Sequence, residues 1–405
     1  MANAAGRAAS VPSSLPPVSG ELSGEFTPLK ISGVPALKWK VSLRAGPAAA
    51  PRHADLEING PGTAVRGEAI VDTWDAASWR VSDARIEVAP WFAALAPMLG
   101  TALTGMTAEG TATIGGSGTL NAGKFGGQIE MNWRDGALRN STAGWAITGV
   151  TVHGKLAQLP ALASDGPVTL TFREANGAGI VARDGRIEFS VDFHRRVHVL
   201  RATMGLMEGR VAFTPFVFDP DKPEVQTDAE FEHVELSRFA AYLPAVLAEA
   251  RGPVSGRMQV NWSVKDGLRS ASGTLRPETA VAASIRLAPS PGFLTSRLPE
   301  NVRERIDLLP SWFGPIRKLF RPVNPAYETL RAIEMGESRL ELKTLELSVS
   351  PGGDINGRTA RIVLMAKPSA NESVVDSVRF EINVNGPLAD LVKLGLEGRV
   401  KMHAR

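Results

Sequence analysis

Short runs of alternating apolar and polar residues dominate the chain. Arg186-Ile187-Glu188-Phe189-Ser190-Val191-Asp192-Phe193 is polar then apolar for eight residues. That is the period of a strand with one dry face and one wet face. Val168, Leu170 and Phe172 alternate likewise, as do Leu340 and Leu342, then Leu345, Leu347 and Val349. Phe380, Ile382 and Val384 close the series. Asp135-Gly136, Asp184-Gly185, Asp266-Gly267, Asn356-Gly357 and Asn385-Gly386 punctuate these runs. Such pairs between alternating runs are the strongest short hairpin signal, because they tolerate the positive φ of a tight turn. The pattern predicts antiparallel meanders rather than βαβ units.

Helical spacing is confined to a few places. It predicts helices over Pro90–Leu103 and Leu236–Ala250, and two or three short ones within 299–334, including Glu300–Leu309 and Pro325–Ile333. A last short helix is expected at Leu388–Leu396. The two longer helices look like copies: Phe92-Ala93-Ala94-Leu95-Ala96-Pro97 aligns with Phe239-Ala240-Ala241-Tyr242-Leu243-Pro244, 147 residues later. A glycine follows each proline by eight residues, Gly105 and Gly252, and opens an alternating strand. Ala84–Val88 and Glu230–Val234 are strand-like before each helix, and Pro-Val-Ser-Gly occurs at 17–20 and 253–256. Repeats of this kind predict an elongated architecture whose units bury apolar faces against their neighbours.

The expected fold is therefore mainly β with a few short helices: an elongated, curled antiparallel sheet forming an apolar groove. The expected segments are a disordered leader at 1–16, an N-terminal β-rich segment at 17–144 with helix 90–103, and a groove segment at 145–405 with helices 236–250 and 299–334.

Composition narrows the function classes. The chain has 405 residues, with 40 Gly, 28 Pro and only 2 Tyr, which suits many short strands joined by turns. Lys and Arg number 45 against 42 Asp and Glu, a net charge of +3. That balance argues against nucleic acid as a partner. Cysteine is absent, so no disulfide, thiol nucleophile or thiolate metal site exists. No window reaches the ~18 apolar residues of a membrane span, and Met1–Pro17 lacks the basic and apolar regions of a signal peptide.

Motifs with chemical potential are weak. Gly118-Thr119-Leu120-Asn121-Ala122-Gly123-Lys124 has the spacing of a phosphate-binding loop, but Phe125 stands where Ser or Thr must bind Mg²⁺; a glycine-rich hairpin is expected. His194 and His198 are four apart, as in a helical zinc pair, yet lie in a strand run, about 13 Å apart. Asp219, Asp221 and Glu224 are too few and too unevenly spaced for calcium. No Gly-x-Ser-x-Gly elbow occurs. Arg303, Arg305, Arg317, Lys318 and Arg321 interleave with Trp312, Phe313 and Phe320. They suit either a helical cap on the sheet or an anionic membrane surface. The nearly all-apolar Pro90–Leu103 helix suits a core or groove cover, or a lipid gate.

One stretch carries a family likeness. Gly205-Leu206-Met207-Glu208-Gly209-Arg210-Val211-Ala212-Phe213-Thr214-Pro215-Phe216-Val217-Phe218-Asp219-Pro220 leads into a strand ending Val234-Glu235-Leu236, a helix, and then Gly252–Val260. This order resembles the AsmA-like superfamily, and within it the YdbH-like branch with its "dicarboxylate transport" domain. Val152–Leu170, Tyr327–Leu347 and Phe380–Leu396 look like further parts of it, and the likeness covers roughly residues 145–400. The resemblance implies a non-enzymatic protein of the periplasm or cell envelope of a diderm bacterium. Such a protein moves phospholipid between membranes or maintains outer-membrane lipid, and needs no cofactor or metal. It implies as partners phospholipid acyl chains, a membrane surface, and a small lipoprotein that adds a strand.

The residues agree with a groove. A one-sided apolar sheet needs its dry face covered, and acyl chains can cover it, since each buried CH₂ contributes roughly 0.8 kcal/mol. The candidate groove residues are Val168, Leu170, Phe172, Ile187, Phe189, Val191, Phe193, Val211, Phe213, Leu340, Leu342, Phe380, Ile382 and Val384. The alternative is an envelope scaffold acting through strand augmentation. A carbohydrate-binding β-protein ranks last, because exposed aromatic platforms need more tyrosines.

Overall fold

The computed structural model describes residues 19–26, 36–44, 52–73, 75–99, 105–141, 144–157, 163–177, 180–219, 221–222, 224–240, 247–263, 267–278, 281–296, 298–300, 324–355, 357–369, 375–384 and 400–404. They are mostly β, and their strands belong to one large antiparallel sheet that does not close. The chain divides into two compact units. The first holds Met1–Gly177, Asp184–Leu200 and Val217–Pro220; the second holds Ala178–Arg183, Arg201–Phe216 and Asp221–Arg405.

The first unit is a meander. Strands β1 (Gly20–Phe26), β2 (Leu37–Arg44), β3 (Arg52–Gly60), β4 (Thr63–Thr73) and β5 (Ala76–Glu87) pair in chain order. Helix α1 (Val88–Leu99) then interrupts, and β6 (Met106–Asn121), β7 (Lys124–Asn140) and β8 (Trp145–Ala157) continue the series. The short β9 (Ala163–Ser164) pairs with β8, as does β10 (Val168–Gly177). Next come β11 (Ile180–Val191), β12 (Val197–Leu206) and β14 (Phe216–Phe218), each with residues in both units, and β13 (Gly209–Phe213), which belongs to the second.

The second unit continues with β15 (Glu224–Glu235), α2 (Leu236–Ala240), β16 (Leu247–Arg251), β17 (Pro253–Ser263), β18 (Gly267–Pro277) and β19 (Ser284–Leu287). It ends with α3 (Pro325–Glu334), β20 (Leu340–Val349), β21 (Ala360–Pro368), β22 (Val378–Val384) and β23 (Val400–Ala404). Pairing runs β13–β15–β17–β18–β20–β21–β22–β23, with β16 on β19 and β19 on the start of β20.

Local chemistry explains the main features. The β6–β7 hairpin turns on Ala122 and Gly123, at φ 49° and 75°, so the Gly118–Lys124 stretch is a hairpin end. Two expected turns lie instead inside strands, one of them at a bulge. Asp135, at φ 50°, lies inside β7, where the register slips between Trp133 and Gly136. Asp184, also at φ 50°, lies inside β11. A residue that accepts positive φ beside a glycine serves a bulge as well as a turn. The Leu340/Leu342 and Leu345/Leu347 phases differ by one residue, and a bulge between Leu342 and Thr344 reconciles them.

The helix expected over Leu236–Ala250 is corrected. It is described as a helix only to Ala240, and Leu247–Arg251 is strand β16. Pairing with β19 buries Leu247 and Ala250, and tertiary contacts of this kind override helix propensity. The helix expected at Pro90–Leu103 runs over Val88–Leu99. The two copies do share a plan. Each has a strand, a helix and then a strand preceded by a left-handed glycine, Gly105 at φ 76° and Gly252 at φ 97°, the second copy inserting β16 before its glycine. In each, the flanking strands pair with one another. Leader 1–16, Asp266, Asn356, Asn385-Gly386, most of Glu300–Leu309, the Arg303–Arg321 cluster and Leu388–Leu396 lie outside the described residues.

The second unit has a closed core. Leu340, Leu342, Leu345, Leu364, Phe380 and Ile382 pack with Ile333 of α3 and with Ile285 and Leu287 of β19. Phe293 stacks on Phe380 at 6.3 Å. Asn324 caps α3 by accepting from the Ala326 N–H at 3.1 Å, with Pro325 in the first turn where its missing N–H costs nothing. At the other end of α3, buried Glu334 accepts from the N–H groups of Gly292 (3.2 Å), Leu294 (2.8 Å) and Thr295 (3.1 Å), and from the Thr295 hydroxyl (2.7 Å). Burial alone raises a carboxyl's pKa, but these bonds outweigh it and hold Glu334 below the ordinary range.

A lowered folded-state pKa stabilises the protein above the unfolded value and ceases to as pH falls through the folded one. Glu334→Gln leaves buried N–H groups poorly matched and should cost the second unit about 1–3 kcal/mol. Urea titrations should show this gap at pH 7 and see it shrink below about pH 4. A gap that stays constant to pH 3 contradicts the assigned role.

Candidate functional site

The register of the first unit sorts its side chains onto two unlike faces. Directly paired residues share a face of a sheet. One cross-strand row reads Leu22, Val41, Leu56, Gly67, Val81, Gly116, Ile129 and Leu156, across β1 to β8. The row beside it reads Trp39, Ile58, Val65, Ala84, Ile114, Met131 and Gly154. Leu170 extends the face onto β10 opposite Val152, with Val168 and Phe172 on the same side. The phase slip in β5 between Val81 and Ala84 is absorbed by a bulge at Ser82-Asp83, so both ends of that strand still present apolar residues here.

The other face is polar. Its rows include Ser42, Asp55, Glu68, Arg80, Ser117 and Gln128. Ion pairs lace it: Lys40 with Glu21 (2.9 Å), Arg44 with Asp55 (2.7 Å), Arg66 with Glu57 (3.4 Å) and Lys155 with Glu130 (3.9 Å). Glu21 raises the Lys40 pKa through its hydrogen bond and its charge. Exposed pairs of this kind contribute at most about 1 kcal/mol each; their effect is to keep this face in water. A depression of about 600 Å³ opens here, walled by Arg80, Asp83, Gln128, Glu130 and Lys155.

Among the described residues, the apolar face is not sealed. Trp39, Leu56, Ile58, Val81, Ile114 and Met131 are all only half-buried. Leu22 is 59% exposed and Phe125 48%. Among the described residues, α1 is the only element of this unit outside the sheet. It covers one end, where Trp91 donates to the Thr63 hydroxyl at 2.9 Å and Leu37, Ala84 and Ala94 are buried. Of the largest fully buried side chains among the described residues, Val150 alone belongs to the first unit; Ile333, Leu340, Leu364, Phe380 and the rest belong to the second.

Glycines pave the open face so that indoles lie flat on it. A Cβ on Gly24 would sit 3.0 Å from the Trp39 ring, one on Gly118 2.7 Å from Trp79, and one on Gly136 2.6 Å from Trp133. Trp79 stacks on Phe125 with ring centroids 5.3 Å apart. The result is a smooth, broad apolar surface.

The sequence-derived groove candidates divide three ways. Val168 and Phe172 are buried, Phe172 against Gly185, while Leu170, Ile187, Phe189 and Val191 are half-buried. The Phe172–Gly185 approach puts Ile187, Phe189 and Val191 of β11 on the same apolar face by alternation. Val211 is buried and Phe213 half-buried. Leu340, Leu342, Phe380, Ile382 and Val384 are fully enclosed by the second unit's own atoms.

Phe193 is not on a strand face at all. β11 ends at Val191, and Phe193, 59% exposed, sits in the turn that follows. Asp192 makes that turn by accepting from the N–H groups of His194 (2.8 Å) and Arg196 (3.0 Å). His194 is thus also a turn residue, and His198 contacts Asp192 at 3.1 Å. Burial raises the Asp192 pKa, but the hydrogen bonds from His198 and Arg196 outweigh it and hold the carboxyl far below its usual range. Glu224 pairs with Arg269 at 2.8 Å. Among the described residues, no group of three His, Asp or Glu is placed to hold one metal ion.

Sequence reasoning missed most of the open face, which lies on β1 to β7. The signal was present as glycines spaced by two, Gly116-Ser117-Gly118, and as isolated tryptophans in alternating runs. No family model matches the chain, and a search of curated proteins likewise returns no match.

Gly118→Ala would press its methyl into the Gly126 carbonyl and the Trp79 ring. Overpacking of this sort costs about 1–3 kcal/mol. Chemical unfolding should register that loss, together with a change in near-ultraviolet circular dichroism as the Trp79–Phe125 stack is disturbed. An unchanged spectrum and midpoint contradict the paving role of this glycine.

Proposed function

We propose that this protein is a non-enzymatic lipid-handling component of the bacterial cell envelope, which shelters acyl chains on the apolar face of its first unit during intermembrane phospholipid transfer or outer-membrane lipid maintenance. One observation carries the reading: a face apolar across nine strands, with its large side chains half-exposed. Monomeric soluble proteins rarely leave apolar patches larger than a few hundred Å² open. A face this broad calls for an occupant, and hydrocarbon suits a surface with so few polar contacts. The AsmA-like, YdbH-like resemblance supports the same reading, and with it a periplasmic location. No helix among the described residues is long and apolar enough to cross a membrane.

A second reading, a scaffold that accepts a strand from a partner such as a small lipoprotein, is favoured by one feature. Among the described residues β1 pairs only with β2, leaving an edge of the kind that strand addition uses.

Phospholipids brominated along their acyl chains quench tryptophan on contact, and Trp39, Trp79 and Trp133 lie on the open face. Added as mixed micelles, they should quench the protein's emission. Leu56→Asp, on the apolar face, should abolish the quenching, and neighbouring Glu57→Gln, on the polar face, should leave it intact. A folded wild-type protein whose emission ignores brominated lipid contradicts the proposal.

A further inference from the structure

Two phenylalanines among the described residues are exposed, Phe125 and Phe193, and both stand at one end of the first unit. Phe125 follows the β6–β7 turn at Ala122 and Gly123. β6 begins at Met106, after α1, and ends at Asn121, so this turn lies at the strand ends away from the helix. Phe193 follows β11, whose Val191 N–H donates to the Ser164 hydroxyl at 2.9 Å. Ser164 pairs with Leu156, and Leu156 with Ile129. The opposite end of that ladder joins Trp145 to Asn140, and Asn140 to Met106, on the α1 side. The β11–β12 turn is therefore also remote from α1. The apolar face has one end covered by α1 and another rimmed by two aromatic rings. Both rings have a fixed base. The Asp192 N–H donates to the Arg196 carbonyl and the Arg195 N–H to the Asp192 carbonyl, each at 3.0 Å, which locks the backbone beside Phe193. Phe125 is braced by its stack on Trp79.

We propose that these two turns are the protein's contact with a phospholipid bilayer, with Phe193 and Phe125 entering the boundary of its acyl chains. This rests on the acyl-chain reading above, and it puts the membrane at the end of the face by which lipid enters. Charge at this end is mixed: exposed Lys124, Arg195 and Arg196 stand with exposed Asp72, Asp75 and Asp165. Hydrocarbon rather than electrostatic attraction therefore carries the contact, and an uncharged bilayer surface suffices. A rigid protein partner fits less well. A stable protein interface takes about 800 Å² of contiguous surface from each side, and two rings rising from polar turns supply separate points. A fluid bilayer admits each ring on its own, and burying an aromatic side chain in it is favourable. A fixed turn also has little backbone freedom left to lose on insertion.

The test uses the full chain with phosphatidylcholine vesicles and with vesicles enriched in phosphatidylglycerol. Flotation reads membrane contact; retention of phosphatidylcholine from mixed micelles reads the acyl-chain face separately. Wild-type protein should partition onto both kinds of vesicle to a similar extent. Phe193→Ser should lower that partition about tenfold and leave micelle retention unchanged. Phe125→Ser should lower partition likewise, and Phe193→Trp should keep it. Ile355→Ser, which removes a fully exposed apolar side chain from the second unit, should change neither reading. Unaltered partition in either serine variant overturns the assignment, as does a loss in Phe193→Ser that Phe193→Trp shares. A parallel fall in micelle retention in Phe193→Ser makes Phe193 part of the lipid site or of the fold and overturns it too. Partition confined to the anionic vesicles makes the contact electrostatic, again against the proposal. Folded wild-type protein that retains micellar lipid but floats with neither vesicle leaves the turns to a protein partner and overturns this inference alone. Retention of no lipid from micelles refutes the acyl-chain reading itself, a result distinct from any of these.

Discussion

The first unit is governed by one constraint: nine paired strands put nearly all their apolar side chains on one side and nearly all their charges on the other. Strand pairing meets the backbone's hydrogen-bonding demand between neighbours, whatever lies above the sheet. What remains unsatisfied is hydrocarbon in contact with water, and at roughly 25 cal/mol per Å² a face of half-exposed Leu, Ile, Val and Trp retains a large free energy to be gained by coverage. The polar face has no such demand, since its ion pairs are content in solvent.

The same alternation has a different outcome in the second unit. There β16, β19 and α3 supply a second set of apolar side chains, and Leu340, Leu342, Leu345, Phe380 and Ile382 disappear among them. Glu334 ties the 291–296 turn to the end of α3 and completes the closure. One unit thus keeps its hydrocarbon to itself, and the other leaves it available. Helix α1 marks the difference in scale, for it covers an end of the open face where α3, β16 and β19 fill a core.

The sequence made the strands legible and their company illegible. Period-two runs announced β10, β11, β20 and β22, and even the one-residue phase slip after Leu342 was visible before its bulge was. Alternation fixes which side a residue takes but carries no information on whether a second layer will arrive. Hence Leu340 and Ile382 read as groove, although they are core, and Phe193 read as the last strand residue, although the Asp192 carboxylate had already turned the chain. Asp135-Gly136 and Asp184-Gly185 read as hairpin turns because a positive φ inside a strand, as at the β7 bulge, asks for the same residues as a turn. Leu247–Ala250 read as helix because its pairing partner, β19, lies more than thirty residues away. The open face itself was hidden by its glycines and alanines, which look neutral in sequence and matter only when an indole lies across them.

Crosslinking from neighbouring positions on one strand tests the central claim most directly. A photoreactive phenylalanine analogue placed at Ile114 points to the apolar face, and at Thr113 to the polar face, with the backbone shared. Irradiation in intact cells should give lipid adducts from position 114 and none from 113. Lipid-free protein at both positions, or position 114 crosslinked only to the protein's own residues, contradicts the account that hydrocarbon tails occupy this face.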